Sequence, residues 1–224
     1  MLAFLVAALV PTYTICLDPG HPSENGSGAE AKGLTEMELV WDVSKRAEKL
    51  LNESSNPRFK VVMTKDSLNH KVTNRKRADI ANECHADLCL RIHADSGGRS
   101  GIATYYPDRQ ARVQGHLGPS KDVIAKSSAL APVFHSAMVG SLGDVLPNLG
   151  CLSEQKTFIG GKQGALTGSV FSEVPVFLVE LCAVDNKHDA AFAKTSNGRD
   201  AFAYALVAGV RACLNQEGSQ GLRK

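Results

Sequence analysis

No apolar run at the start of this chain is long enough to cross a bilayer: the uncharged stretch Leu2 to Val10 falls well short of the roughly 20 residues a spanning helix needs. The six cysteines include no CxxC pair and no short knuckle spacing, which removes the all-thiolate zinc modules and the CxxC redox motif from consideration. Excess charge is also missing. The formal net charge is +2 and the lysines and arginines are scattered rather than gathered in one stripe, so nothing argues for a nucleic-acid partner. There is no internal repeat, no long low-complexity tract and no break in composition. A chain of 224 residues without such breaks is expected to form one domain around one core.

Residues 1–11 read as an apolar leader, with the main domain at 12–215 and a polar tail at 216–224. The leader has the length of a signal-peptide core but lacks a preceding Lys or Arg and a clean small-x-small cleavage site near Pro11. A short apolar strand or a retained anchor is the alternative. Export is the expectation, to the periplasm or the extracellular side of the cell envelope. Cys16, Cys89 and Cys182 sit inside apolar strand candidates and read as small buried hydrophobes, whereas the pairing of the six cysteines is not readable from sequence.

Strands and helices alternate along the chain. After a first strand, the Gly- and Ser-rich stretch Pro22 to Gly33 marks a surface loop. Thr35 with Glu38 three positions on forms a capping box, and Leu39, Val40, Val43, Ala47, Leu50 and Leu51 recur at helical spacing. Phe59 to Thr64 predicts a strand, Arg75 to Cys84 a helix, Leu88 to Ile92 and Ile102 to Tyr106 strands, and Lys121 to Leu142 a helix. Val174 to Leu181 is the last core strand and Asp200 to Leu214 the closing helix. Leu142 to Phe171 carries six glycines, which disfavours a long helix and predicts loops with at most one short strand. This alternation predicts an α/β layered domain with a mostly parallel sheet.

Three of the strand candidates end in a group that binds metal or handles protons: TYTICLDPGH at His21, ADLCLRIHAD at His93 and VPVFLVEL at Glu180. Open α/β sheets gather their sites at the carboxyl ends of strands, so these groups can share a cleft. Glu36 opens the first helix, and with Glu38 occupied in the cap Glu36 is free to face a metal. Two histidines and one glutamate make a three-ligand zinc set with an open position, leaving the other glutamate as a base. Each residue alone has a plainer reading. His21 after Asp-Pro-Gly could stabilise a turn, Glu180 could form a buried ion pair with Arg91, and His70, His85, His116, His135 and His188 read as solvated or packed residues.

In order, LDPGHPSENGSGAEAKGLTEMELVWDVSKRAEKLL, RADIANECHADLCLRIHAD and VPVFLVELCAVDNKHD resemble the three signature blocks of the zinc-dependent N-acetylmuramoyl-L-alanine amidases, the cell-wall amidase type 3 family, over about Thr12 to Asn215. The resemblance implies a single twisted, roughly six-stranded sheet with helices on both faces. It also implies one zinc ion held by His21, Glu36 and His93, with Glu180 as the catalytic glutamate. The implied reaction cleaves the amide between N-acetylmuramic acid and L-alanine in peptidoglycan, by a chain expected to act as a monomer. Three departures stand out: Pro22 follows DPGH, Asp95 stands after the alanine where many members carry asparagine, and Arg91 occupies a position where many carry serine, which makes Arg91 a candidate substrate contact. Two other functions keep the same residues in play. One is a non-catalytic peptidoglycan-binding module, which has no need of a base beside a metal; the other is a zinc peptidase acting on the stem peptide.

Overall fold

The computed structural model describes residues 10–220, and of residues 215–220 only the backbone. Most of the leader, residues 1–9, and the end of the tail, residues 221–224, therefore lie outside the described residues. The elements run β1 Thr12–Pro19, β2 Glu30–Ala31, β3 Leu34–Thr35, α1 Glu36–Asn52, β4 Arg58–Met63, α2 Asn74–Glu83, β5 Leu88–Asp95 and β6 Ile102–Tyr106. They continue with β7 Ala111–Val113, β8 His116–Gly118, α3 Lys121–Leu142, β9 Asn148–Ser153, α4 Phe158–Gln163, α5 Thr167–Val170, β10 Val176–Ala183, α6 Lys187–Ala193 and α7 Ser196–Gln220.

Six strands form one sheet in the order β4-β1-β5-β10-β6-β9. All pairings are parallel except that between β10 and β6. Alternation along each strand sorts the side chains between two faces. Ile15 and Leu17, Leu88, Leu90 and Ile92, and Phe177, Val179 and Leu181 face the main core with α1, α3 and α7. That core is closely packed: Phe134 of α3 meets Phe177 at 5.0 Å between ring centres, and a Cβ on Gly209 of α7 would stand 2.5 Å from Phe134. The opposite face carries a smaller apolar cluster, Cys16, Cys89 and Val176 beneath Ala81 of α2 and the following Ala86. Helices therefore cover both faces, as expected.

Several boundaries differ from the sequence expectation. β5 continues past Ile92 to Asp95, because its ladder with β10 pairs Glu180 with His93 beyond the apolar run. The glycine-rich stretch contains a six-residue edge strand, β9, and its α-helices have six and four residues, beside two three-residue 3-10 turns. The closing helix starts at Ser196 and its backbone runs through part of the expected tail to Gln220. The hairpins β2-β3 and β7-β8 have no counterpart in the sequence reading.

Candidate metal centre

Register decides which residues meet. β1, β5 and β10 are adjacent and parallel, with Cys16 opposite Cys89, Asp18 opposite Arg91, and His93 opposite Glu180. Odd positions of β5 and even positions of β1 and β10 thus share the α2 face, in layers that become more polar toward the carboxyl ends. Thiols lie deepest, then the Asp18 and Arg91 pair, then His93 and Glu180.

α1 supplies the next group. Thr35 caps it, accepting from the Glu38 amide at 3.2 Å and donating its hydroxyl to the Glu38 carboxylate at 2.8 Å. With Glu38 so engaged at the surface, Glu36 is buried and turned inward. Its Oε1 lies 2.9 Å from His93 Nδ1 and 3.4 Å from His21 Nε2, and accepts the Ala94 amide at 3.2 Å; its Oε2 accepts the Ala29 amide at 2.9 Å. One donor atom from each of His21, Glu36 and His93 lies within 4.8 Å of the others. Two imidazoles and one carboxylate facing a common point form a donor set suited to zinc. Glycines make the approach feasible: a Cβ on Gly20 would stand 2.6 Å from His93 Cε1, and one on Gly28, at φ +85, would stand 2.7 Å from Glu36 Oε2.

The electrostatics agree with that donor set at Glu36 and His93, and differ from it at His21. Burial alone would raise the Glu36 pKa, but hydrogen bonds with His21 and His93 hold it well below the carboxylate range, so it is an anion. Burial lowers the His93 pKa against the pull of Glu36, keeping the ring neutral, the form that ligates metal. For His21 burial acts the same way, but its contact with Glu36 outweighs it and raises the pKa.

Glu180 borders the same open cavity of about 370 Å³, with His21, Glu36, His93, Asp95 and Ser96 among its lining residues. Its Oε2 is buried and has no hydrogen-bond partner. Burial first, then repulsion by Glu36 and Asp95, push its pKa well above the usual carboxylate value. A carboxyl with one buried, unpartnered oxygen is unfavourable as a purely structural group, and a perturbed pKa beside a cluster of ligating atoms is a mark of functional sites.

Arg91 is placed differently from the expectation. It is only 5 % exposed and lies outside the cavity lining, donating through Nη2 to Asn74 at 2.9 Å and through Nε to Asp18 at 3.4 Å. No ion pair with Glu180 forms among the described residues. The reason is Asp18, a buried carboxylate that needs guanidinium partners and takes two. Burial would raise its pKa, but Arg77, Arg91 and the Thr64 hydroxyl lower it to about 2. Arg77 donates through Nη1 to Asp18 and to the Pro19 carbonyl, both at 2.6 Å, and through Nη2 to the Pro22 carbonyl at 3.1 Å. Lys65, 2 % exposed, donates to the His21 carbonyl at 2.5 Å. These cations hold the turn on which His21 sits at φ +54, a left-handed conformation that is uncommon outside glycine.

Asp18, Arg77 and Lys65 were not singled out in the sequence. The available signal was an acidic residue at the end of an apolar strand, which requires a cationic partner somewhere in the chain. His135 packs away from the site, bonded to Thr104 at 2.9 Å and Asn148 at 2.8 Å. His70 pairs with Asp66 at the surface, and His116 stacks on Phe171.

The comparisons with known proteins bear on this geometry. The protein YqiI of Bacillus subtilis (strain 168) is 29 % identical over 206 residues, which cover 91 % of this chain and 85 % of YqiI. N-acetylmuramoyl-L-alanine amidase LytC of the same organism is 29 % identical over 196 residues, 86 % of this chain but only 34 % of LytC, so the chain corresponds to about a third of that relative. The crystal structure of the N-acetylmuramyl-L-alanine amidase Ami1 from Mycobacterium smegmatis superposes with a TM-score of 0.74 at 21 % identity, covering 93 % of this chain and all (100 %) of the other, a likeness of fold. The family model described as N-acetylmuramoyl-L-alanine amidase, Amidase_3, matches residues 15–212, which include all three signature blocks, and the chain belongs to that family of enzymes.

Proposed function

We propose that this chain is a zinc-dependent amidase that hydrolyses the bond between the lactyl group of N-acetylmuramic acid and the first L-alanine of the peptidoglycan stem peptide. The observation that carries the reading is the convergence of His21, Glu36 and His93 donor atoms within 4.8 Å, beside the half-buried carboxyl of Glu180, whose buried Oε2 has no partner. The donor set fits zinc: one anionic and two imidazole ligands, held by α1, β5 and the β1 turn. When bound there, zinc polarises the scissile carbonyl and makes a water easier to deprotonate.

The chain's own residues supply the remaining steps. Glu180 accepts a proton from the attacking water, and its raised pKa lets it hold that proton without being a strong acid. As the carbon–nitrogen bond breaks, Glu180 returns the proton to the departing nitrogen, giving a carboxylate on the sugar side and a free amino group on alanine. Glu36 keeps its charge throughout and anchors both imidazoles. Arg77 and Lys65 fix the His21 turn, and Arg91 neutralises Asp18 beneath it, which makes all three positioning residues. We place the enzyme at the cell envelope, exported by way of residues 1–11 and acting as a monomer; no helix among the described residues is long and apolar enough to cross a membrane.

Digestion of purified peptidoglycan tests the reading. The expected product is free stem peptide beginning with L-alanine, lost on chelation and restored by added zinc. Shorter peptides would identify a peptidase, and binding without release would identify a wall-binding module.

A further inference from the structure

The chain has a single tryptophan, Trp41, and it lies off the stripe by which α1 enters the core. Leu39, Val40, Val43, Ala47 and Leu51 of that stripe are buried, whereas Trp41 is only half-buried. Trp41, Lys45 and Glu48 follow one another at i, i+4 and i+7, so they share one face of the helix. They form one wall of a groove of about 350 Å³, and Lys65, Asp66 and His70, just beyond the carboxyl end of β4, line the other. That volume lies within the range of small-molecule pockets, about 300–1,000 Å³. A large aromatic side chain set in a groove instead of the core presents apolar surface to whatever enters it.

Lys65 joins this groove to the metal centre. Its ammonium donates to the His21 carbonyl at 2.5 Å and to the Leu68 carbonyl at 3.2 Å, and stands 5.3 Å from the centre of the Trp41 ring. The cation that holds the His21 turn thus also steadies the indole. Lys45 stands 5.8 Å from the same ring. The charges of the groove are matched internally: Lys45 pairs with Glu48, and His70 pairs with Asp66 at 2.9 Å. A ligand therefore meets an aromatic surface rimmed by donors and acceptors, with no free cation, because Lys65 is engaged by two carbonyls. Such a surface suits a neutral, polyhydroxylated ring. A stem peptide, with its free carboxylates, would need unpaired positive charge.

We propose that the Trp41 groove is a saccharide subsite, which takes a sugar of the glycan strand next to the N-acetylmuramic acid at the metal centre. The source of that sugar rests on the amidase reading, whereas the groove's fit to a sugar ring does not. The C–H face of a pyranose packs on the indole, whose ring face is electron-rich, and Lys45, Glu48, Asp66 and His70 supply hydrogen bonds to hydroxyl and N-acetyl groups. Sheet order gives the two arms of the substrate separate places. The groove lies on the β4 side of His21, while Asp95 and Ser96 border the metal cavity on the β5 side, where the stem peptide is left to lie. Held at both places, intact strands are better substrates than isolated muramoyl peptides.

Because Trp41 is the only tryptophan, its emission reports on the groove directly. The test titrates the intact chain with tri-N-acetylchitotriose, which has no lactyl amide and is not turned over. The expected result is a saturable change in emission, weakened in Lys45→Ala and not produced by free stem peptide. A second measurement compares kcat/KM on glycan strands bearing stem peptides with kcat/KM on N-acetylmuramoyl peptide. In Trp41→Ala the ratio of the two should fall roughly threefold to tenfold, the worth of one aromatic stacking contact, and Trp41→Phe should recover part of it. Emission that ignores the trimer, emission that answers to stem peptide instead, or an unchanged ratio in Trp41→Ala would each overturn the proposal. The titration requires no turnover, so it can fail while stem-peptide release succeeds, and the reverse.

Discussion

Removing Glu36 should separate a metal ligand from a helix cap with nearly the same sequence address. Glu36→Ala deletes an anionic donor and leaves two backbone amides, those of Ala29 and Ala94, without their acceptor. A buried donor left unsatisfied costs about 1–3 kcal/mol, and Ala29 is partly wetted, so the metal-free variant should lose roughly 2–4 kcal/mol of stability. Glu38→Ala removes only the bond from the Thr35 hydroxyl to the carboxylate and keeps the Glu38 amide on Thr35, a loss of about 1 kcal/mol at most, or roughly 2–4 °C in a domain of this size. Zinc separates the two more sharply. At a free concentration about 100 times its dissociation constant, zinc should stabilise the parent chain by about 2.7 kcal/mol, a rise of roughly 5–11 °C. The rise should persist in Glu38→Ala and vanish in Glu36→Ala. Glu36→Gln, close to the parent in shape, shows whether the loss follows charge rather than packing. Zinc content after dialysis and thermal unfolding with and without zinc are the assays. Zinc retained by Glu36→Ala and lost by Glu38→Ala would refute the ligand assignment.

Acid should expose the Asp18 network. The folded pKa is about 2 against an ordinary 3.8, so the contribution is full above about pH 4 and is lost as pH falls through about 2; it amounts to about 2 kcal/mol. Asp18→Asn should flatten stability against pH across that window while leaving Arg77 and Arg91 buried without their counterion, and an unchanged acid limb in denaturant titrations would contradict the assignment. Gly28→Ala should weaken zinc binding by roughly tenfold or more, because the new Cβ meets Glu36 Oε2 and the ring of His21 and the residue must hold φ +85. Competition with a chelator measures this, and an unchanged affinity would show that the loop yields freely.

Much of the fold was legible because it rests on local alternation. The apolar positions of β1, β5 and β10, the capping pair at α1 and the full extent of α3 follow from spacing in the chain. What pairing decides was not legible. The sequence does not show that Asp18 lies opposite Arg91, or that Arg77 turns from α2 into the interior. Arg91 consequently read as a substrate contact when a buried carboxylate already claims it. β9 was obscured for a related reason: Asn148–Ser153 has no strong period, and its strand character comes from pairing with β6. The site residues were visible because each is a polar group at the end of an apolar strand or the start of a helix. Their geometry depended on glycines 20 and 28, whose role only the close approach reveals.

The central claim is that Glu180 handles protons beside a metal it does not ligate. Glu180→Gln keeps size and hydrogen-bonding capacity but removes the titrating oxygen, and zinc content, peptidoglycan binding and stem-peptide release should be measured on it together with His93→Ala. The account predicts that Glu180→Gln retains zinc and binds peptidoglycan while release falls by roughly 10²–10⁴-fold, and that His93→Ala loses zinc and release together. Loss of zinc from Glu180→Gln in step with its activity would contradict it, making Glu180 a ligand or a structural partner and leaving the base elsewhere.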